Sequence, residues 1–306
     1  MQSPRLPRFK RTSNTLPFEL TERDREIIRH IQRHRFLRSS HICSLIAGSS
    51  QQLLRRLKLL YHHGFLDRPR IQIEYYHEGG SREFVYGLGI KGASVIAKEL
   101  DCELETLLWD TKNGSIGRVF LKHALLVSDL MVAIELACRE KQIRLLTEQE
   151  LAASLNRNGD RQRFRWNVHV AGQKLTAVPD RVFALESTAT DGKIRRSYFF
   201  LEADRGTMPV VRKTLVQTSF YRKLLAYEAT WNQLIHEKHF GFPRFRVVTV
   251  TTNAVRVKNL IDACAKLKSG HGLFLFTDRT ILNKPLDILT HVWQTGRSGQ
   301  TGTLMD

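Results

Sequence analysis

The sequence predicts an α/β chain, α+β overall, in two successive parts: a small helical module closed by a β-hairpin, then a larger domain with helices around a mixed sheet. Three observations predict it. Between Leu20 and Gly64, three segments with helical start and stop signals follow one another closely. Two β-rich segments then flank Gly79-Gly80, as in a hairpin. From residue 117 onward the patterns run helix, three strands, helix, strand, helix, strand, which is how a layered α/β domain reads.

The opening MQSPRLPRFKRTSNTLP has three prolines, four basic residues before Ser13 and no apolar period, so residues 1–19 are expected to be a disordered basic arm. In LTERDREIIRHIQRHRF, Thr21 stands as an N-cap with Asp24 three residues later, and Ile27, Ile28 and Ile31 share one face. SSHICSLIAG gives a short second helix with a Ser start and a Gly stop, and SSQQLLRRLKLLYHHG a third with the same punctuation. Three helices joined by tight turns resemble a helix-turn-helix. On the third helix Leu53, Leu54, Leu57 and Leu60 are expected to face the core. That leaves Gln51, Gln52, Arg55, Arg56 and Lys58 outward, where Gln suits adenine and Arg suits guanine or phosphate in a major groove. FLDRPRIQIEYYHEGGSREFVYGLG then supplies a hairpin that would be the wing, with Arg68 and Arg70 at its entry. IKGASVIAKEL closes this domain, placed at residues 20–100, and residues 101–116 read as a connector.

The second domain, residues 117–293, starts with the long helical pattern GRVFLKHALLVSDLMVAIELACREK, and IRLLTEQEL reads as a strand after it. NVHVAGQKLTAVPDRVFAL and KIRRSYFFLEADRG read as a strand pair and a third strand, followed by a helix through VVRKTLVQTSFYRKLLAYEATWNQLI. FRVVTVTT, a helix through LIDACAKLK, and GLFLFTD complete the run. Residues 294–306, rich in Gly, Ser and Thr, are expected to be a disordered tail.

Asp180, Glu202 and Asp204 stand at the ends of apolar runs that read as neighbouring strands. A buried carboxylate costs several kcal/mol unless it is paired, hydrogen-bonded or bound to a cation. Two answers are open: the three hold a divalent metal, or they pair with Arg181, Arg205, Lys213 or Lys223 as a charge network. Spacing of four puts Gln217 with Tyr221, and Lys223 with Tyr227, on common faces of the helix expected after the third strand.

LLRRLKLLYHHGFLDRP is similar to the recognition helix and wing entry of winged-helix regulators, a resemblance running from about Leu20 to Leu100 that implies an N-terminal winged helix-turn-helix. The second domain resembles the PD-(D/E)xK nucleases. Pro179-Asp180 matches the PD pair and Glu202 the acidic position, while Asp204 stands where the motif has its lysine. The resemblance implies a restriction-endonuclease-like mixed-sheet α/β domain. Asp180, Glu202 and Asp204 would be metal ligands for Mg2+ or Mn2+, and Asp180, Glu202 and Lys213 or Lys223 would be catalytic. Gln217, Tyr221 and Tyr227 would lie near the DNA, as in an exonuclease branch with a Gln-x-x-x-Tyr motif. Taken with the winged helix, VPDRV, FLEADRGT and YRKLLAY resemble the replication-relaxation family of plasmid and mobile-element proteins, from about Thr21 to Asp278. That implies a DNA-binding accessory or regulatory protein for replication control, relaxation or mobilisation. The alternative it implies is an active Mg-dependent endonuclease targeted by the winged helix.

Composition bears on partners. The chain has 306 residues, long enough for two cores, with 48 Lys and Arg against 30 Asp and Glu, a net charge of +18 that favours a polyanion. Residues 1–70 alone hold 15 basic residues against 5 acidic. Double-stranded DNA is the expected partner; the alternative is a basic surface on a protein-binding module. A homodimer and contacts with plasmid replication or mobilisation proteins are further expectations. No apolar run approaches the roughly 18 residues of a membrane span and no secretory segment opens the chain, so a cytoplasmic protein without membrane association is expected. Cys43, Cys102, Cys138 and Cys264 have no zinc or disulfide spacing. His30 and His34 sit four apart but among Arg29, Arg33 and Arg35, which would repel a metal ion. Neither a phosphate-binding Gly loop nor a G-x-S-x-G nucleophile motif is present.

Overall fold

The computed structural model describes residues 8–12, 17–73, 83–104, 116–154, 164–188 and 191–306. The chain is mixed α/β and divides into two compact units, residues 1–132 and 133–306. Among the described residues no helix is long and apolar enough to cross a membrane.

In the first unit, helix α1 (Glu22–His34) begins where its cap places it. The Thr21 hydroxyl accepts from the Asp24 N–H at 3.3 Å and the Asp24 carboxylate accepts from the Thr21 N–H at 2.9 Å, a capping box that satisfies two orphan donors. Ile27, Ile28 and Ile31 are fully buried. Strand β1 (Phe36–Arg38), helix α2 (Ser39–Leu45), helix α3 (Ser50–His62), strand β2 (Leu66–Asp67), strand β3 (Val85–Leu88) and helix α4 (Ile90–Leu100) follow. The strands form an antiparallel sheet in the order β1-β3-β2, with Phe36 opposite Gly87 and Leu66 opposite Leu88. The hairpin tip expected around Gly79-Gly80 lies outside the described residues. Helix α4 crosses the Phe65 backbone so closely that a Cβ on Gly92 would stand 2.2 Å from the Phe65 carbonyl oxygen, so only glycine fits.

Two expectations change here. Leu53, Leu57 and Leu60 are buried, but Leu54 is 46% exposed. A stripe at i, i+4 and i+7 turns one face inward, and Leu54 lies a full 100° helical step off it. The described part of the N-terminal arm is also packed. The Arg11 guanidinium donates to the carbonyls of Tyr61 and Leu66, both at 3.0 Å, and Phe18 stacks on His63 with centroids 4.6 Å apart.

Helix α5 (Arg118–Glu140) spans the division between the units. Strand β4 (Arg144–Leu146) and helix α6 (Glu148–Ala153) come next, so only the first half of IRLLTEQEL is a strand. Thr147 and Glu150 form a second capping box, which starts a helix there. Among the described residues, strands β5 (Trp166–Val170) and β6 (Gln173–Ala177) pair only with each other, as a separate hairpin. Strands β7 (Arg181–Thr188) and β8 (Ile194–Ala203), helices α7 (Phe220–Asn232) and α8 (Ile235–Phe240), strand β9 (Arg246–Thr251), helix α9 (Ala254–Cys264) and strands β10 (Phe274–Asp278), β11 (Trp293–Thr295) and β12 (Thr301–Gly302) complete the chain.

The main sheet has seven strands in the order β12-β11-β10-β9-β8-β7-β4; β8, β9 and β10 are mutually parallel and the other pairs antiparallel. The parallel pairs are joined through helices, α7 and α8 between β8 and β9, and α9 between β9 and β10, as parallel pairing requires. Phe200 of β8 packs among Trp166, Tyr227, Phe240, Phe242 and Phe245, and the Trp166 indole donates to the Thr230 hydroxyl at 2.7 Å. This aromatic core locks α7 against β8.

The tail expected to be disordered carries β11 and β12, because Trp293 and Leu304 are buried and the backbone continues the sheet beyond β10. The expected helix from Val210 is also shorter. It starts only at Phe220, since residues 211–218 offer no buried face and expose Val211 and Val216.

Candidate functional site

Side chains alternate along a strand, so Glu202 and Asp204 at the end of β8 share the face on which Phe200 meets α7. Asp180 stands just before β7. Its N–H donates to the Leu201 carbonyl at 2.9 Å and its Oδ2 accepts from the Ala203 N–H at 2.8 Å. The antiparallel register therefore brings the PD pair level with Glu202.

Glu202 is 2% exposed, and both of its carboxylate oxygens accept from α7. Lys223 Nζ donates to Oε2 at 2.5 Å and the Tyr227 hydroxyl donates to Oε1 at 2.6 Å. The two donors are one helical turn apart, which sets them on the same carboxylate. Burial pushes the Glu202 carboxyl up; Lys223 draws it back, Asp180 adds to the rise, and the net direction is upward. For Lys223, burial pulls down, but the charges of Glu202 and Asp180 outweigh it and hold the ammonium above its ordinary value. Burial and the Glu202 charge together raise the Tyr227 phenol well above its ordinary value. Lys223 and Tyr227 thus both stay protonated as donors at neutral pH.

Asp204 is 7% exposed and is held from the other side. Arg256, in the first turn of α9, grips it bidentately, Nε to Oδ2 at 2.8 Å and Nη2 to Oδ1 at 3.2 Å. The Thr251 hydroxyl donates to Oδ2 at 2.6 Å and the Gly206 N–H to Oδ1 at 3.0 Å. Gly206 makes that turn at φ +72°, a conformation a side chain would strain.

These carboxylates do not fit a divalent ion as a three-carboxylate set. Mg2+ and Mn2+ need hard oxygen ligands with lone pairs to give. Each oxygen of Asp204 accepts two hydrogen bonds, from Arg256, Thr251 and the Gly206 N–H, which leaves it nothing to give a metal, whereas each oxygen of Glu202 accepts one. Thr249, level with Glu202 on β9, is fully buried with no hydrogen-bond partner for its hydroxyl, but one neutral oxygen does not make a ligand set.

Of the residues named from sequence, Asp180, Glu202, Lys223 and Tyr227 converge. Lys213 and Gln217 are exposed on the irregular segment before α7, and the Tyr221 hydroxyl donates to the Lys266 carbonyl at 3.3 Å. Of the two i, i+4 pairs, the Lys223 and Tyr227 pair is the one that meets the carboxylate. Arg181 donates to the Asp180 backbone carbonyl at 3.2 Å. Sequence reasoning missed Arg256. The available signal was Asn253, which caps α9 directly after β9 and so places the first turn of that helix at the carboxylate end of the sheet.

On α3, Gln51, Gln52 and Arg55 are exposed and Lys58 is half-buried; Arg70 is exposed after β2. Arg56 and Arg68 are engaged within the first unit. Arg56 donates through Nε to the fully buried Asp24 carboxylate at 2.9 Å and through Nη2 to the Glu19 carbonyl at 2.9 Å, and it lies over the Phe18 ring. Burial pushes Asp24 up, but Arg56 and Thr21 more than reverse this and hold it below the usual carboxylate range. Arg68 is 5% exposed, 4.2 Å from the ring centroids of Tyr61 and Phe84, and donates to the Tyr86 hydroxyl at 3.1 Å.

A family model described as replication-relaxation matches residues 28–244, more than half of the chain. The matched span takes in Asp180, Glu202, Lys223 and Tyr227 and ends before Arg256. No curated protein and no solved structure matches the chain.

Proposed function

Because the chain belongs to the replication-relaxation family, which ties it to the replication of a plasmid or mobile element, we propose that it is a double-stranded-DNA-binding accessory or regulatory protein of that process. The observation that carries this reading is the outward face of α3. With Leu53, Leu57 and Leu60 turned inward, Gln51, Gln52 and Arg55 stand exposed on one helix, the side chains that read base edges and phosphates in a major groove. The order of helices, with a three-stranded β1-β3-β2 sheet behind them, supports a winged helix presenting α3. In this reading the second unit is a nuclease-like domain whose acidic cluster is neutralised from within. It acts in DNA binding and holds no metal. The protein should bind duplex DNA, and Arg55→Ala should weaken binding without lowering the melting temperature. Undiminished affinity in that variant moves the DNA surface away from α3.

The convergence of Asp180, Glu202 and Lys223 favours a second reading, a magnesium- or manganese-dependent DNA endonuclease, because Lys223 reaches from α7 to the carboxylate that β8 leaves without the motif lysine. Incubation with supercoiled plasmid, with and without either ion, separates the two. The first reading expects no nicking. Metal-dependent nicking that Lys223→Met and Glu202→Gln both abolish would establish the second.

A further inference from the structure

Residues 205–227 contain five basic residues, Arg205, Arg212, Lys213, Arg222 and Lys223, and no Asp or Glu. Such a run is usually a solvated face balanced by neighbouring carboxylates, and elsewhere this chain follows that habit. Arg29 is paired with Glu22 and Glu99, and Arg144 and Arg196 with Glu186. Here the balance is missing. Of the adjacent carboxylates, Glu202 is paired with Lys223, Asp204 with Arg256, and Asp180 accepts from the Ala203 N–H and adds to the field on Lys223; none of Arg205, Arg212 and Lys213 has an ion-pair partner among the described residues. Arg212 and Lys213 are exposed.

The segment that carries them is irregular but tied down along its length. Arg256 donates to the Met208 carbonyl at 2.6 Å. The first free N–H groups of α7 are capped from the same segment, Phe220 N–H by the Pro209 carbonyl at 3.0 Å and Tyr221 N–H by the Val210 carbonyl at 2.9 Å. Arg222 of α7 donates to the Val216 carbonyl at 2.7 Å. Anchors therefore stand on both sides of Arg212 and Lys213. A loop ordered before it meets its ligand loses little conformational entropy on binding.

We propose that the anchored loop of residues 205–217 is a second DNA-binding element, which holds the phosphodiester backbone of duplex DNA through Arg212 and Lys213, with Arg205 beside them. The chemistry is that of a repeating anion. Two adjacent exposed cations without carboxylate partners complement successive phosphates and carry no means of reading bases, so the loop supplies affinity and leaves sequence choice to α3. The internal neutralisation of Glu202 and Asp204 is what permits it, since two free buried carboxylates beside the loop would repel the same backbone.

The proposal rests on the protein being DNA-binding but on different residues from those of α3, and the test keeps the two apart. The full chain is titrated by fluorescence anisotropy against a fluorescein-labelled duplex across a salt series, as wild type, Arg55→Ala and the double variant Arg212→Ala/Lys213→Ala. The loop variant should bind at least tenfold more weakly, with a log-log salt slope shallower by about two, because each phosphate contact contributes about 0.9. Its melting temperature should not change, since both side chains are exposed. The charge-preserving Arg212→Lys/Lys213→Arg should restore the slope. Wild-type affinity and slope in the loop variant, with binding reduced in Arg55→Ala, would overturn the loop and leave α3 standing. Loss in the loop variant alone supports the loop and removes α3 as the principal contact. Absence of duplex binding by the wild type overturns both.

Discussion

Lys223 and His62 carry the sharpest consequences of single side chains. Lys223→Met leaves Glu202 buried with one charged partner gone, and should destabilise the protein by about 2–4 kcal/mol, somewhat less than for a fully enclosed pair because a third of the Lys223 side chain meets solvent. In urea denaturation the double variant Glu202→Gln/Lys223→Met should lose less than the sum of the single variants; strict additivity would mean the pair is not coupled. His62 is 5% exposed, neither ring nitrogen is hydrogen-bonded, and burial together with Arg68 and Lys58 pulls its pKa from 6.5 to about 4. The folded state prefers the neutral ring. Its contribution is therefore fully present above pH 6.5 and is lost as pH falls from there to about 4, where the unfolded chain alone binds the proton. The loss should reach about 3 kcal/mol, and His62→Phe should flatten that part of the stability profile relative to wild type. How legible such residues are from sequence depends on where their partners lie. Lys223 and Tyr227 can be found because a helix puts them on one face. Arg256 is 52 residues from Asp204, and no local pattern links them. Arg56 and Arg68 read as exposed cations because a basic residue on an amphipathic helix or at a turn gives no sign of a buried carboxylate or a ring cluster elsewhere.

Among the elements, α3 shows how one helix divides its cations between structure and ligand. Arg56 is turned onto the fully buried Asp24, whose other donors belong to the α1 cap, so Arg56→Ala strands a carboxylate and should cost the first unit about 2–3 kcal/mol. Arg55→Ala, one residue earlier and exposed, should change stability by less than about 0.5 kcal/mol. Thermal melts of both variants check this, and equal losses would mean that Arg56 does not support α1. The same local physics decides which elements can be read in advance. The start of α1 is written in a capping box, and β7, β8, β9 and β10 in apolar runs; α6 has a capping box too, but its six residues follow the apolar run of β4 without a break and read as more strand. The segment before α7 misleads because its composition tolerates a helix while nothing in the fold buries a face of it. β11 and β12 are hidden by Gly, Ser and Thr, residues that form an edge strand only when a neighbour such as β10 supplies the pairing.

For the whole molecule, the net charge of +18 is meaningful through its distribution. Internal pairs consume cations and carboxylates equally and leave that excess intact, and the part of it that the two proposed DNA surfaces present is Arg55, Lys58 and Arg70 in the first unit and Arg205, Arg212 and Lys213 in the second. If all six meet phosphates, the log-log slope of duplex affinity against salt should be about −5; if only the first three do, about −3. A slope near zero would mean that the charge serves no nucleic-acid contact. The two buried ion pairs at the end of β8 also differ in the loop each closes. Lys223 and Glu202 are 21 residues apart, whereas Arg256 and Asp204 are 52 apart and must wait for β9 to add in parallel beside β8. The longer closure is less favourable by about 0.8 kcal/mol of chain entropy. The folding reaction should register that order: Lys223→Met slows refolding, while Arg256→Ala leaves the refolding rate nearly unchanged and speeds unfolding, so that one carboxylate marks the nucleus of the sheet and the other its closing step.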